Sequence, residues 1–153
     1  MGIAGFSHVG ICVRDLEASS RFYAEVLGFR QIYSMDFADG QVTATMERPG
    51  AFTSRMFGRG DLRVELLWWH DTDPAALPEP TRPPMDRPGF THLSFRVDDV
   101  HDLVEAAERC GGAVWPATLT TIGEGDGAVS LLYLTDPDGN RIEVMAGSPE
   151  LPI

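Results

Sequence analysis

Two histidines and two glutamates stand out in this 153-residue chain: His8, Glu65, His92 and Glu143. Successive side chains of a strand point to opposite faces of its sheet. On that alternation Val9, Ile11 and Val13, Val64, Leu66 and Trp68, Leu93, Phe95 and Val97, and Ile142 and Val144 face the helices. The four polar residues take the other face, so each half of the chain offers one His and one Glu on one side of a sheet. Taken singly, each reads most simply as an ordinary strand residue. A glutamate within an apolar strand is costly unless it meets a cation. Two of them at corresponding places, each matched by a histidine, point to a divalent metal. Imidazole nitrogen with carboxylate oxygen suits Zn²⁺, Fe²⁺, Mn²⁺, Co²⁺ or Ni²⁺, with water filling open positions. No thiolate closes the set, and an open site is what chemistry on a bound substrate needs. Cys12 shares the His8 face and is expected to be a small buried thiol.

The correspondence comes from an internal repeat. A shift of 84 residues lays His8 on His92, Val13 on Val97, Asp15 on Asp99 and Gly28 on Gly112. A shift of 78 lays Arg63-Val64-Glu65-Leu66 on Arg141-Ile142-Glu143-Val144. The second half is the same unit with its middle shortened. The modules span residues 5–70 and 89–147 of a single 153-residue domain, and residues 71–88, with six prolines, form an extended linker between them.

Each module reads as strand, helix, then further strands. In the first, Phe6–Val13 is a strand, Asp15 caps a helix through Leu27 and Gly28 stops it. A strand follows over Phe29–Phe37, then a stretch Ala38–Arg48 read as a short helix. Strands at Ala51–Gly58 and Leu62–Trp69 flank the turn at Gly60-Asp61. In the second, Thr91–Val97 is a strand, Asp99 caps a helix to Cys110, and Ala113–Pro116 is a short strand. A glycine-rich loop at 123–127 leads to a strand over Val129–Leu134. The turn Asp136-Pro137-Asp138-Gly139 then enters the last strand, Arg141–Met145.

Composition narrows the function classes. The formal net charge is −11, with no basic run, which disfavours nucleic acid and anionic membranes as partners. No apolar run approaches the roughly 20 residues that span a bilayer. The opening MGIAGFSHVGICV does not read as a signal peptide. Two cysteines, Cys12 and Cys110, are too few for a disulfide framework, and a cytoplasmic location is expected.

The segments SHVGICVRDLEASSRFYAEVLGF, THLSFRVDDVHDLVEAAERCGG and YLTDPDGNRIEVM resemble the vicinal oxygen chelate superfamily, that of glyoxalase, bleomycin resistance proteins and extradiol dioxygenases, over residues 5 to 146. The resemblance implies an α+β fold of two tandem βαβββ modules, with a cup-shaped sheet around one divalent metal ion (Zn, Ni, Co, Mn or Fe). It implies His8, Glu65, His92 and Glu143 as the ligands. Extradiol dioxygenases lack a ligand at the place of Glu65 and glyoxalase I has a Glu there, so the pattern is closest to glyoxalase I. That implies an isomerase or lyase acting on a small substrate with vicinal oxygens through an enediolate, with Glu143 as base and Glu65 returning the proton. Arg63, Arg96 and Arg141 are candidate anchors for an anionic substrate, with Trp69 and Met145 as apolar walls and Phe57 a core residue. His70 and His101 have no expected role. Kinship also implies a homodimer, with the ligands drawn from one chain or from two. The alternatives are an Fe(II)-dependent extradiol dioxygenase and a metal-free drug-binding protein.

Overall fold

A computed structural model of the chain describes residues 2–147. It divides into two compact units, Met1–Glu79 and Pro80–Ile153, so the division falls inside the proline-rich linker. The first unit runs β1 (Val9–Cys12), α1 (Leu16–Glu25), β2 (Arg30–Phe37), α2 (Thr43–Met46), β3 (Phe52–Arg59) and β4 (Leu62–Trp69). The second runs β5 (Leu93–Arg96), α3 (Val104–Arg109), β6 (Ala113–Ile122), β7 (Val129–Thr135) and β8 (Arg141–Ala146). The sheets have orders β1-β4-β3-β2 and β5-β8-β7-β6. The fold is α+β, one βαβββ pattern used twice. No helix among the described residues is long and apolar enough to cross a membrane.

In the first unit, Asp15 caps α1 as expected, accepting from the backbone N–H of Glu17 and Ala18 at 3.0 and 2.9 Å. Gly28, at φ +69°, turns the chain out of the helix, a conformation that costs glycine little. Leu16, Phe22, Tyr23, Val26 and Leu27 are all buried, and with Phe57, Val64 and Leu66 they form the core. In the second unit Val100, Ala107 and Cys110 are buried with Leu132, Leu134, Ile142 and Val144.

Four elements differ from the sequence expectation. Asp99 does not open an α-helix directly: its Oδ1 accepts from the N–H of His101 at 2.8 Å, but the backbone then closes tight i to i+3 turns, Asp102 N–H to the Asp99 carbonyl at 3.1 Å and Val104 N–H to the His101 carbonyl at 3.2 Å. The helix therefore starts only at Val104. The strand expected to end at Pro116 continues to Ile122, with its pairing to β7 broken between Trp115 and Thr120. Pro116 has no N–H for the ladder, and across the break Thr118 Oγ1 accepts from the N–H of Tyr133 at 3.0 Å. β1 and β5 are shorter than expected, because the ladder to β4 begins at Val9↔Val64 and that to β8 at Leu93↔Ile142. His8 and His92 thus stand one residue before their strands.

The Asp-Pro-Asp-Gly turn is built on a buried carboxylate. Asp136, 2% exposed, accepts from the N–H groups of Asp138 and Asn140 through Oδ1 and from the Asn140 side chain through Oδ2. Gly139, at φ +84°, lies against the backbone of Thr81, where a Cβ would come within 3.1 Å of its carbonyl oxygen. The turn fixes the entry to β8, the strand that carries Glu143.

The capping geometry sets a first expected outcome. Asp15→Ala leaves two donors of α1 unsatisfied and should cost about 1 kcal/mol, read as a lower urea midpoint at unchanged slope; an unchanged midpoint would show that the cap is not needed.

Candidate functional site

In each unit the first strand lies parallel to the last, and this pairing brings histidine to glutamate. Gly10 is the partner of Glu65 and Ser94 the partner of Glu143, so the residue two places earlier, His8 or His92, reaches the same carboxylate. His8 Nε2 is 3.3 Å from Glu65 Oε2, and His92 Nε2 is 3.6 Å from Glu143 Oε2. The glutamate side chains are 19% and 13% exposed, shielded but open to an ion.

Both histidines are backed by the hydroxyl of the residue before them. Ser7 Oγ lies 2.9 Å from His8 Nδ1, and Thr91 Oγ1 lies 2.9 Å from His92 Nδ1. When Nε2 serves as a ligand, Nδ1–H donates to that hydroxyl and sets the ring's orientation. The chemistry of the donors fits a divalent ion. Two ligand atoms at about 2.1 Å from one ion stand about 3.0–3.4 Å apart at tetrahedral or octahedral angles, close to the separations in both pairs. Among the described residues no group of three or more His, Cys, Asp or Glu side chains stands ready to hold a metal; each unit by itself holds one His–Glu pair.

The surroundings of the two glutamates differ. Ser54 Oγ donates to Glu65 Oε1 at 2.5 Å. Glu143 receives two hydroxyls, Ser94 on Oε2 at 2.7 Å and Tyr133 on Oε1 at 3.0 Å. Tyr133 faces Glu143 across β7 and β8, where the first unit has Met56 facing Glu65. Ser94 has Gly10 as its counterpart.

The other expected site residues separate into distinct environments. Arg141 is 6% exposed and donates to the carbonyls of Thr91 at 3.1 Å and Pro83 at 2.7 Å, so it ties the linker to β8 and to the residue backing His92. Its Nε is buried with no partner. Arg63 folds back on its own hairpin, donating to the carbonyls of Gly60 and Leu62. Arg96 is exposed at the end of β5, beside Met145 in the ladder. Met145 is half-buried, its sulfur 3.3 Å from Ser94 Oγ. Trp69 is buried, packed on Phe52 and covered by the Arg48 guanidinium, which pairs with Asp71 at 2.7 Å. Phe57 is in the core, as expected. Cys12 is exposed rather than buried: β1 is an edge strand, and the Cys12 side faces away from the helix. His70 joins Thr53 and Asp36 in a hydrogen-bonded row, while His101 is exposed.

The hydroxyls of Ser7, Ser54, Thr91, Ser94 and Tyr133 were not among the expected site residues. The repeat carried a signal for two of them, since Phe6-Ser7-His8 overlays Phe90-Thr91-His92. Tyr133 holds its proton above the ordinary tyrosine value of 10.0; burial is the main cause, followed by its hydrogen bond to Glu143 and the charge there, with Arg141 opposing. A raised pKa in the folded state means the stabilisation is full below the ordinary value and is lost as pH rises through the folded value. For metal-free protein, the melting-temperature gap between wild type and Tyr133→Phe should stay constant up to about pH 9.5 and narrow above about pH 10. A gap unchanged to about pH 11 would show that the hydroxyl is not so held.

The sequence family described as the Glyoxalase/Bleomycin resistance protein/Dioxygenase superfamily matches residues 5–144. The chain is 29% identical to a lactoylglutathione lyase of Pseudomonas aeruginosa, over 94% of this chain and 82% of that protein. It is 31% identical to a catechol-2,3-dioxygenase of Bacillus subtilis over 94% of this chain, but spans only 42% of that longer protein. Among solved structures, a glyoxalase family protein from Bacillus cereus superposes with a TM-score of 0.76 at 15% identity, covering 97% of each chain. With its duplicated βαβββ units and repeated His–Glu pairs, the chain belongs to the glyoxalase/bleomycin resistance protein/dioxygenase superfamily.

Proposed function

We propose that the two His–Glu pairs together hold one divalent metal ion, within one chain or across a homodimer, and that the protein is an isomerase or lyase acting on a small substrate with vicinal oxygens. The observation that carries this reading is the repeated pair itself: Nε2 facing Oε2 at 3.3 and 3.6 Å, with a hydroxyl behind each ring. Structural duplication alone would not require a histidine and a glutamate to be oriented the same way twice. Relatives named as lactoylglutathione lyase support the choice of reaction class.

A divalent ion so held would supply stabilisation of negative charge developing on two adjacent substrate oxygens. The chain's own residues do the rest. His8 and His92 present fixed nitrogens, steadied by Ser7 and Thr91. The carboxylates of Glu65 and Glu143 move the proton on the neighbouring carbon, one taking it and the other returning it. Arg96 and Met145 border the Glu143 side of the site and meet the substrate's remaining groups.

A second reading has one observation in its favour. Glu143 is held by two hydroxyls where Glu65 is held by one, as expected if His8, His92 and Glu143 alone bound Fe(II) for oxygen-dependent ring cleavage. The catechol-2,3-dioxygenase relative belongs with this reading.

Elemental analysis of purified protein tests the shared premise. Wild type should carry about one divalent ion per four-ligand site, and His92→Ala and Glu143→Ala should lose it. The metal-loaded protein should then turn over 2-oxoaldehyde–thiol adducts or acyl thioesters, with Glu143→Gln slower by about 100-fold or more. Oxygen uptake with catechols after anaerobic Fe(II) loading, and no isomerisation, would select the second reading. A wild type that takes up no metal after reconstitution would sink both and leave a metal-free binding protein.

A further inference from the structure

Among the described residues two arginines lie over tryptophan rings, and they differ in what they meet next. In the first unit the Arg48 guanidinium lies 4.3 Å from the centre of the Trp69 ring, and its Nη2 donates to both carboxylate oxygens of Asp71 at 2.8 and 2.7 Å. In the second unit the Arg82 guanidinium lies 3.9 Å from the centre of the Trp115 ring. The ring attracts the cation and holds it in place. Arg82 is half-buried, yet among the described residues it meets no carboxylate and no carbonyl. A guanidinium carries five N–H donors and no acceptor, so a shielded one without an anion lacks the partner that Arg48 has.

Arg82 lines a cleft of about 190 Å³ together with Pro80, Ala113, Trp115, Thr135 and Pro137, all of the second unit. Thr135 is the ladder partner of Arg141, whose buried Nε–H has no partner. The opposing charge is Asp136, but its Oδ1 already accepts from the N–H groups of Asp138 and Asn140, and its Oδ2 from the Asn140 side chain. The prolines, Ala113 and Trp115 make the walls largely apolar, and a cavity of about 150 Å³ is enough for a benzene ring. We propose that this cleft binds a small ring-bearing monocarboxylate. Its carboxylate meets Arg82 as that of Asp71 meets Arg48, and its apolar body lies against Pro80, Ala113 and Pro137. A multiply charged anion is disfavoured by the formal charge of −11, and a neutral ligand leaves the guanidinium unpaired. Trp115 faces Tyr133 in the ladder and Tyr133 faces Glu143, so two strand spacings, roughly 10 Å, separate the Trp115 backbone from that of Glu143. Binding in the cleft requires no metal.

The test is NMR titration of metal-free protein with benzoate, acetate and benzyl alcohol, read at the Trp115 indole N–H signal (assigned with Trp115→Leu). Benzoate should shift that signal saturably. It should bind about tenfold or more tighter than acetate, which lacks the ring, and than benzyl alcohol, which lacks the charge. Arg82→Gln should weaken benzoate by about tenfold or more. Ala113→Leu, which fills the cleft and keeps the charge, should weaken it by a similar factor. Arg87→Gln, at an exposed arginine of the same linker, should leave it unchanged. No saturable shift in wild type would overturn the site. Acetate binding as tightly as benzoate would reduce it to an adventitious ion only, and benzyl alcohol doing so would remove the role of Arg82. Benzoate binding undiminished in Arg82→Gln or Ala113→Leu, or equally diminished in Arg87→Gln, would place the ligand elsewhere. Should a variant fail to fold, the comparison of the three ligands on wild type decides.

Discussion

The parallel pairing of first strand to last strand within each module is the constraint from which the site follows. A parallel ladder needs a long crossover between its strands, and the helix and antiparallel strands in between provide one in both units. The ladder then fixes register: Gly10 beside Glu65, Ser94 beside Glu143. A histidine two residues upstream of that partner is delivered to the carboxylate without further design. A slip of one residue would turn every side chain of the strand to the other face, separating histidine from glutamate and pulling Val64, Leu66, Ile142 and Val144 out of the core.

Buried polar groups elsewhere protect that register. Asp136 uses both carboxylate oxygens to close the turn before β8, and Arg141 at the start of β8 grips the carbonyls of Thr91 and Pro83. Burying a carboxylate and a guanidinium is expensive unless their hydrogen bonds are made. Here most of those bonds are to backbone, which locks the chain's path in a way apolar packing would not. Since Thr91 in turn backs His92, the linker, the strand and the candidate ligand are joined through one guanidinium.

Much of this was legible in the sequence because alternation and repetition are coarse signals that survive ignorance of detail. His8, Glu65, His92 and Glu143 announced themselves as polar residues on an otherwise consistent pattern, and the overlay of the two halves paired them. The illegible parts depended on local competition or long-range routing. Asp99 looks like a helix cap, as Asp15 is, but tight backbone turns at Asp102 and Val104 follow it before the helix begins. Pro116 looks like a strand's end until Thr118 bridges the gap. Arg141 looks like an anion anchor because a sequence does not say which carbonyls a linker will bring to it.

The loss of Arg141 and Arg63 from the pool of open cations bears on what the site can accept. Both are engaged with backbone carbonyls, and Arg48 is taken up by Asp71 above Trp69. Of the arginines expected to anchor substrate, Arg96 alone is exposed. In a chain of formal charge −11, the surrounding field disfavours highly charged anions, and one exposed guanidinium in water offsets little of it. If the proposed metal ion is bound, recognition would then fall chiefly on it and on shape, with Met145 and the neighbouring hydroxyls beside Glu143. A substrate that brings two adjacent oxygens and little other negative charge fits that balance better than one held by its phosphates.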